Sequence, residues 1–251
     1  MQHPLRQARP DDPFLRYCLD DAQVLDYLID DDLVAFIRPG RRAGECWVSA
    51  LGDDPARVTQ LVDELAERHR VDGIHVHDHV YPLLPERLRI ADPGHWSIWV
   101  ITPAGASARL SDWAVGTEEL DPFDARIDPL LAHSESAYLM SGHPSIRRWV
   151  GVTEGDRLVA VGAQTVIADG VPHLVSICTD PGARDRGHGR AVTAALVSAA
   201  FARCAPEVYL EMYAGNAAAA ALYRSVGFHE AGRYRSGWVP GRAPTGDVEP
   251  A

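Results

Sequence analysis

The chain has no lysine: all 24 of its lysine-or-arginine positions are arginine, set against 35 carboxylates for a formal net charge of −11. The first absence excludes a nucleotide-binding loop of the Gly-Lys-Ser/Thr kind, which needs its lysine on the phosphates. The shortage of positive charge argues against nucleic acid as a partner, because phosphate contacts require a basic face. Long apolar runs are missing as well. None approaches the ~18 residues of a membrane span, and the start Met1-Gln2-His3-Pro4-Leu5-Arg6 lacks the apolar core of a secretion signal. Cysteine is scarce, and Cys18, Cys46, Cys178 and Cys204 show neither close pairing nor metal-ligand spacing. They read as reduced thiols, so a cytoplasmic protein without membrane attachment is expected. The acid clusters Asp11-Asp12, Asp20-Asp21 and Asp30-Asp31-Asp32 read as solvated surface, with an acidic field for a cationic amine as the sharper alternative.

What the chain does have is Arg184-Asp185-Arg186-Gly187-His188-Gly189-Arg190, between a strand-like run (His173 to Thr179) and an apolar helical run (Ala191 to Ala202). Gly187 and Gly189 can turn tightly and let the backbone approach a ligand. The first N–H groups of the helix lack internal partners and carry the positive end of its dipole. With Arg184, Arg186 and Arg190 around them, they describe a pyrophosphate site. A dinucleotide fingerprint fits less well. Val192 stands where a third small residue belongs, and several residues separate Thr179 from Gly187; only Glu211, at a tolerable offset for a ribose-binding acid, keeps that alternative open.

The next segment, Glu207 to Met212, alternates polar and apolar residues as a half-buried strand does. Asn216 then starts an alanine-rich helix and Gly227 stops it, with Phe228 beyond. Asn216 and Tyr223, seven residues apart, share one helical face. These residues resemble the GNAT superfamily of acyl-CoA N-acyltransferases. Its loop pattern Arg/Gln-x-x-Gly-x-Gly/Ala is met by Arg184, Gly187 and Gly189, and its pattern Asn-x-x-Ala-x-x-x-Tyr-x-x-x-Gly-Phe by Asn216, Ala219, Tyr223, Gly227 and Phe228. The resemblance covers roughly residues 145 to 238.

The resemblance implies an α/β (α+β) fold, a mixed, mostly antiparallel twisted sheet flanked by helices, and an N-acetyltransferase using acetyl-CoA as co-substrate. Coenzyme contacts would come from Arg184, Asp185, Arg186, Gly187, His188, Gly189, Arg190, Asn216 and Ala219, with the backbone of Ile177, Cys178 and Thr179 aligning the pantetheine arm. Tyr223 would be the general acid for the departing thiolate. The amine, with a pKa near ~10.4, must lose a proton before it attacks. His173 is the candidate base, expected on one face with Val175 and Ile177; Glu211 and Glu135 are the other candidates. Direct attack in a ternary complex is expected, with a covalent route through Cys178 as the minor alternative. The acceptor pocket is expected around Asp121 to Ser145 and the last strand, with Trp149, Tyr138 and Trp238 as possible lining. Small amines and peptide or protein amines all remain open, as do a non-catalytic acyl-CoA sensor and the oligomeric state.

Periodicity places a helix over Asp124 to Ala137 with Ile127, Leu130 and Leu131 inside, and strands over Arg148 to Thr153, Leu158 to Val166, Val171 to Thr179 and Arg233 to Val239. Turns are expected at Glu154 to Arg157 and Ala168 to Gly170. The first half repeats the plan faintly. Strands at Leu33 to Ile37 and Glu45 to Leu51 flank the turn Pro39 to Arg42. A helix over Pro55 to His69 carries Val58, Leu61, Val62 and Leu65 inside, and strands follow at Gly73 to Val76 and Trp96 to Ile101. Where the phosphate loop should be, it reads Gly52-Asp53-Asp54-Pro55-Ala56-Arg57, acids in place of arginines and glycines. The expected organisation is a degenerate GNAT-like domain (1–110), a catalytic domain (111–239) and a disordered tail (240–251), similar to the tandem glycine N-acyltransferase-like branch. The three histidines of His75-Val76-His77-Asp78-His79 would share a strand face, but no distant ligand cluster is evident in the sequence; the segment reads as a polar strand end, with no metal expected.

Overall fold

The computed structural model describes residues 2–40, 44–90, 93–166 and 170–242. The described part of the chain falls into two compact units, one of residues 2–98, 213–215 and 231–242, the other of residues 99–212 and 216–230. In chain order the elements are α1 (Pro4–Ala8), α2 (Pro13–Tyr17), β1 (Asp26–Asp30), β2 (Leu33–Pro39), β3 (Cys46–Leu51), α3 (Pro55–Arg68), β4 (Gly73–His77) and β5 (Gly94–Ile101). There follow α4 (Leu110–Trp113), β6 (Thr117–Leu120), α5 (Ile127–Leu131), β7 (Arg148–Glu154), β8 (Arg157–Val166), β9 (Pro172–Thr179), α6 (His188–Phe201), β10 (Val208–Tyr213), α7 (Ala217–Val226) and β11 (His229–Trp238).

Within the first unit the strand order is β1-β2-β3-β4-β11. β1, β2 and β3 form an antiparallel meander, and α3 carries the chain over to β4, parallel to β3. α3 forms because Val58, Leu61, Val62 and Leu65 recur at helical spacing and all four are buried. Its start is closed by its own sequence: Pro55 occupies the first turn, and Asp54 Oδ1 accepts from Ala56 N–H at 2.9 Å and Arg57 N–H at 3.3 Å.

In the second unit the order is β10-β9-β8-β7-β6, antiparallel except for the parallel pair β9 and β10 joined through α6. α6 buries Val192, Leu196 and Val197 against Leu174, Val208 and Leu210. The opposite side of the sheet packs Val175 and Cys178 against Leu130, Leu131 and Trp149. Each unit therefore has a mostly antiparallel sheet with helices against it, as the sequence leads one to expect.

Several elements differ from expectation. The helix expected over Asp124 to Ala137 is confined to Ile127–Leu131. Its apolar face is right, but nothing beyond Leu131 continues the spacing, and Asp128 is engaged by the N–H and hydroxyl of Ser141, both at 2.8 Å. β1 lies inside a segment whose acids read as surface. Asp31 (φ 53°) turns the chain there, so the Asp30-Asp31-Asp32 cluster is the corner of a hairpin. The last strand begins at His229, four residues early. His75 is no polar strand end: it is fully buried, its Nδ1 at 3.1 Å from Ser236 Oγ and its ring 4.2 Å from Phe14 and 5.0 Å from Tyr234. The tail from 243, residues 41–42 of the Pro39 turn and residues 168–169 of the second turn lie outside the described residues.

Candidate functional site

β9 and β10 begin as neighbours and then part. Tyr209 pairs with His173 and Leu210 with Leu174; no further pair is made, although β9 runs on to Thr179 and β10 to Tyr213. The parting coincides with a bulge. Ala163 pairs with Val175 but Val161 with Cys178, so Ser176 and Ile177 together face Gly162 alone. Ser176 takes a left-handed backbone (φ 51°), and its hydroxyl donates to Leu139 O at 2.9 Å. One edge of β9 beyond Leu174 thus presents N–H and C=O groups that β10 does not use. Asp180 N–H donates to Val159 O of β8 at 2.9 Å. Because N–H groups alternate along a strand, that of Thr179 points the other way, toward the side that β10 leaves.

The bulge corrects one expectation. His173 and Ile177 do not share a face, because the extra residue resets the alternation after Val175. Val175 and Cys178 point to the α5 side, where Cys178 Sγ donates to Leu130 O at 3.3 Å. Leu174 and Ile177 point to the α6 side, where a side chain at Gly162 would strike both Ile177 and Val192.

The expected phosphate loop occupies the end of that gap. Gly187 is the N-cap of α6 in left-handed conformation (φ 86°), and no side chain caps the helix. Asp185 is also left-handed (φ 63°). Gly189 is buried, and a Cβ there would come within 3.0 Å of Leu222 and 3.2 Å of Thr179. Arg184 donates to Thr179 O at 3.4 Å. Two residues of the loop lean on a partner that the motif does not contain: Glu154, on the β7–β8 turn, takes Arg186 at 3.3 Å and His188 at 3.0 Å. Arg190 lies over Trp113 of α4 at 4.9 Å, and Arg109 lies over the same ring at 5.2 Å. Glu154, Trp113 and Ser176 escaped the sequence reading because they lie outside the motif and carry no spacing signal of their own.

On α7, Asn216 Oδ1 accepts from Ala219 N–H at 3.0 Å, and Gly227 (φ 118°) closes the helix before Phe228. Tyr223 is buried 5.8 Å from the Phe228 ring, and burial pushes its phenol well up, so it stays protonated across the working range. Among the described residues nothing accepts from its hydroxyl. His173 is buried flat against Tyr209, ring centres 4.2 Å apart; burial lowers its pKa, with Glu211 pulling weakly the other way. It is therefore neutral at pH 7. Cys178 is shifted upward by burial, partly offset by Arg184. Glu211 and Glu135 are exposed. Of the expected acceptor-pocket aromatics, Trp149 is a core residue, Tyr138 is exposed, and Trp238 packs on Trp47 in the first unit. Among the described residues no helix is long and apolar enough to cross a membrane.

Comparison with known proteins bears on this geometry. Residues 110–228 match the acetyltransferase (GNAT) family. Over 80 residues the chain is 39% identical to the ribosomal protein bS18 alanine N-acetyltransferase of Salmonella typhimurium, covering 32% of this chain and 53% of that one. The Escherichia coli K12 protein of the same name is 36% identical over the same length. The chain spans about half the length of these curated relatives. Two solved structures have similar folds over nearly the whole chain. A GCN5-related N-acetyltransferase from Kribbella flavida has a TM-score of 0.58 at 19% identity, covering 93% of this chain and 95% of its own. A GNAT-family acetyltransferase from Novosphingobium aromaticivorans has a TM-score of 0.52 at 20% identity, covering 93% and 96%.

Proposed function

We propose, from the premise that residues 110–228 are a GNAT-family acetyltransferase domain, that this enzyme moves an acetyl group from acetyl-CoA to a primary amine by direct attack. The parting of β9 and β10 beyond Leu174, directly before an uncapped glycine loop, carries this reading. Family members generally use acetyl-CoA. The chain's own groups suit it: the free N–H groups of α6 and the arginines for the pyrophosphate, and the open edge of Val175–Thr179 for the pantetheine arm. An N–H at Ile177 or Cys178 is the donor for the oxyanion. Neutral His173 takes the amine proton, directly or through water, and Tyr223 gives a proton to the departing thiolate. The inward, raised thiol of Cys178 supports direct attack over an acyl-enzyme.

A degenerate first half belongs to the same proposal, in a tandem arrangement like that of the glycine N-acyltransferase-like branch. Its support is a repeated plan: three antiparallel strands, a helix and a parallel strand occur as β1-β2-β3-α3-β4 and again as β7-β8-β9-α6-β10. The two copies differ where a coenzyme would sit. β3 and β4 stay paired from Trp47–Gly73 to Ala50–Val76, and Asp54 fills the helix start with a carboxylate. An anion has no place there.

The acceptor is a small amine or a peptide or protein amine; the ribosomal-protein alanine named for the curated relatives makes an alanine-bearing peptide the first acceptor to try. The reading is tested by following thiol release from acetyl-CoA across an amine and peptide panel. Turnover with at least one amine is expected. Tight acetyl-CoA binding with no turnover on any amine would instead favour an acyl-CoA sensor.

A further inference from the structure

We infer that the first unit holds a divalent metal ion of the zinc class between His77, His79 and Asp53. This does not rest on the acetyl-transfer reading. His77 closes β4, His79 follows two residues later, and Asp53 stands in the turn between β3 and α3. Folding brings one ligand atom of each within 4.8 Å of the others. The sequence alone hid this, because Asp53 lies 24 and 26 positions away from the two histidines. Donors sharing one tetrahedral zinc ion lie about 3.4 Å apart at a bond of ~2.1 Å, so a closure of up to roughly 1.4 Å is required. The freedom for it is present: the side chains of His79 and Asp53 are 59% and 67% exposed, while His77, 13% exposed, is the fixed point.

Each imidazole is already aimed by a carboxylate. His79 Nε2 lies 2.9 Å from Asp53 Oδ1, and His77 Nε2 lies 2.9 Å from Asp12 Oδ2. Asp12 is itself anchored, its Oδ1 accepting from Phe14 and Leu15 N–H, which leaves Oδ2 toward His77 and Arg9. Two imidazoles with carboxylates suit zinc, whereas calcium and magnesium take oxygen ligands. Charge points the same way. Asp12, Asp32 and Asp53 converge on a single guanidinium, Arg9, at 3.4, 3.6 and 3.8 Å. Three negative charges against one positive leave −2, the charge that one divalent ion neutralises. Bound there, the ion ties the β3–α3 turn to the end of β4.

The test uses the full chain, stripped with chelator and re-equilibrated with zinc, read by metal analysis, competition with a zinc indicator and thermal melting. We expect one zinc ion per chain and a raised melting temperature. His79→Ala and Asp53→Asn should each weaken zinc at least ~10-fold and abolish the thermal shift, while Cys204→Ser should change neither. Both His79 and Asp53 are exposed, so these variants keep the fold, which their metal-free melting checks. Cobalt in place of zinc should give tetrahedral visible bands without sulfur charge transfer. Wild type binding zinc no more tightly than His79→Ala, or a sulfur charge-transfer band, would overturn the assignment.

Discussion

Gly187 holds φ at 86°, and a Cβ there would meet only Arg190, at an ordinary 3.5 Å. The cost of Gly187→Ala is therefore backbone strain, about 1 kcal/mol, set where the coenzyme phosphate is proposed to sit. Melting should fall by a few degrees, and acetyl-CoA affinity should fall at least ~10-fold by calorimetry. Tyr223→Phe removes only the proton donor and keeps the packing against Phe228. We expect kcat to drop ~10²-fold with acetyl-CoA affinity unchanged; a normal kcat would remove Tyr223 from the mechanism. His173 gives a pH prediction. Burial lowers its folded pKa below the unfolded value, so below about pH 6.5 the unfolded chain binds a proton that the native state does not. The contribution is constant above that pH and declines as the pH falls through it, by at most about 1.4 kcal/mol per unit. His173→Phe, which can keep the stack on Tyr209, should make the acid limb of urea stability shallower. Residue types in the loop were legible because glycine spacing has a direct backbone meaning; the bulge at Ser176 was not, since serine carries no signal for a left-handed backbone.

Elements with sustained apolar periodicity were read with nearly correct bounds, as α3 and β7 to β9 illustrate. The failures share a cause. β6 has four residues and α4 four, too short for a period to register, and α5 ends where its apolar spacing ends although its flanking residues tolerate helix. In the β3–α3 turn, acids stand in place of arginines and glycines, and one of them, Asp54, caps the helix start, a role the sequence reading did not assign. Asp54→Ala should cost about 1 kcal/mol in urea unfolding and leave acetyl-CoA affinity as it was. A loss of affinity there would tie the first unit to coenzyme binding and contradict the proposed division of labour.

At the scale of the whole molecule, two copies of one strand plan differ chiefly at the carboxyl ends of their parallel strands, where α/β sheets bind ligands. One copy parts its strands and leaves a helix start open; the other keeps its strands paired and fills the helix start with a carboxylate. Counting coenzymes per chain therefore tests the account most directly. Calorimetric titration of the full chain with acetyl-CoA, with NAD as the control, should give one site, lost or weakened in Gly187→Ala, and no heat with NAD. Two sites per chain, or one site indifferent to Gly187→Ala, would contradict it.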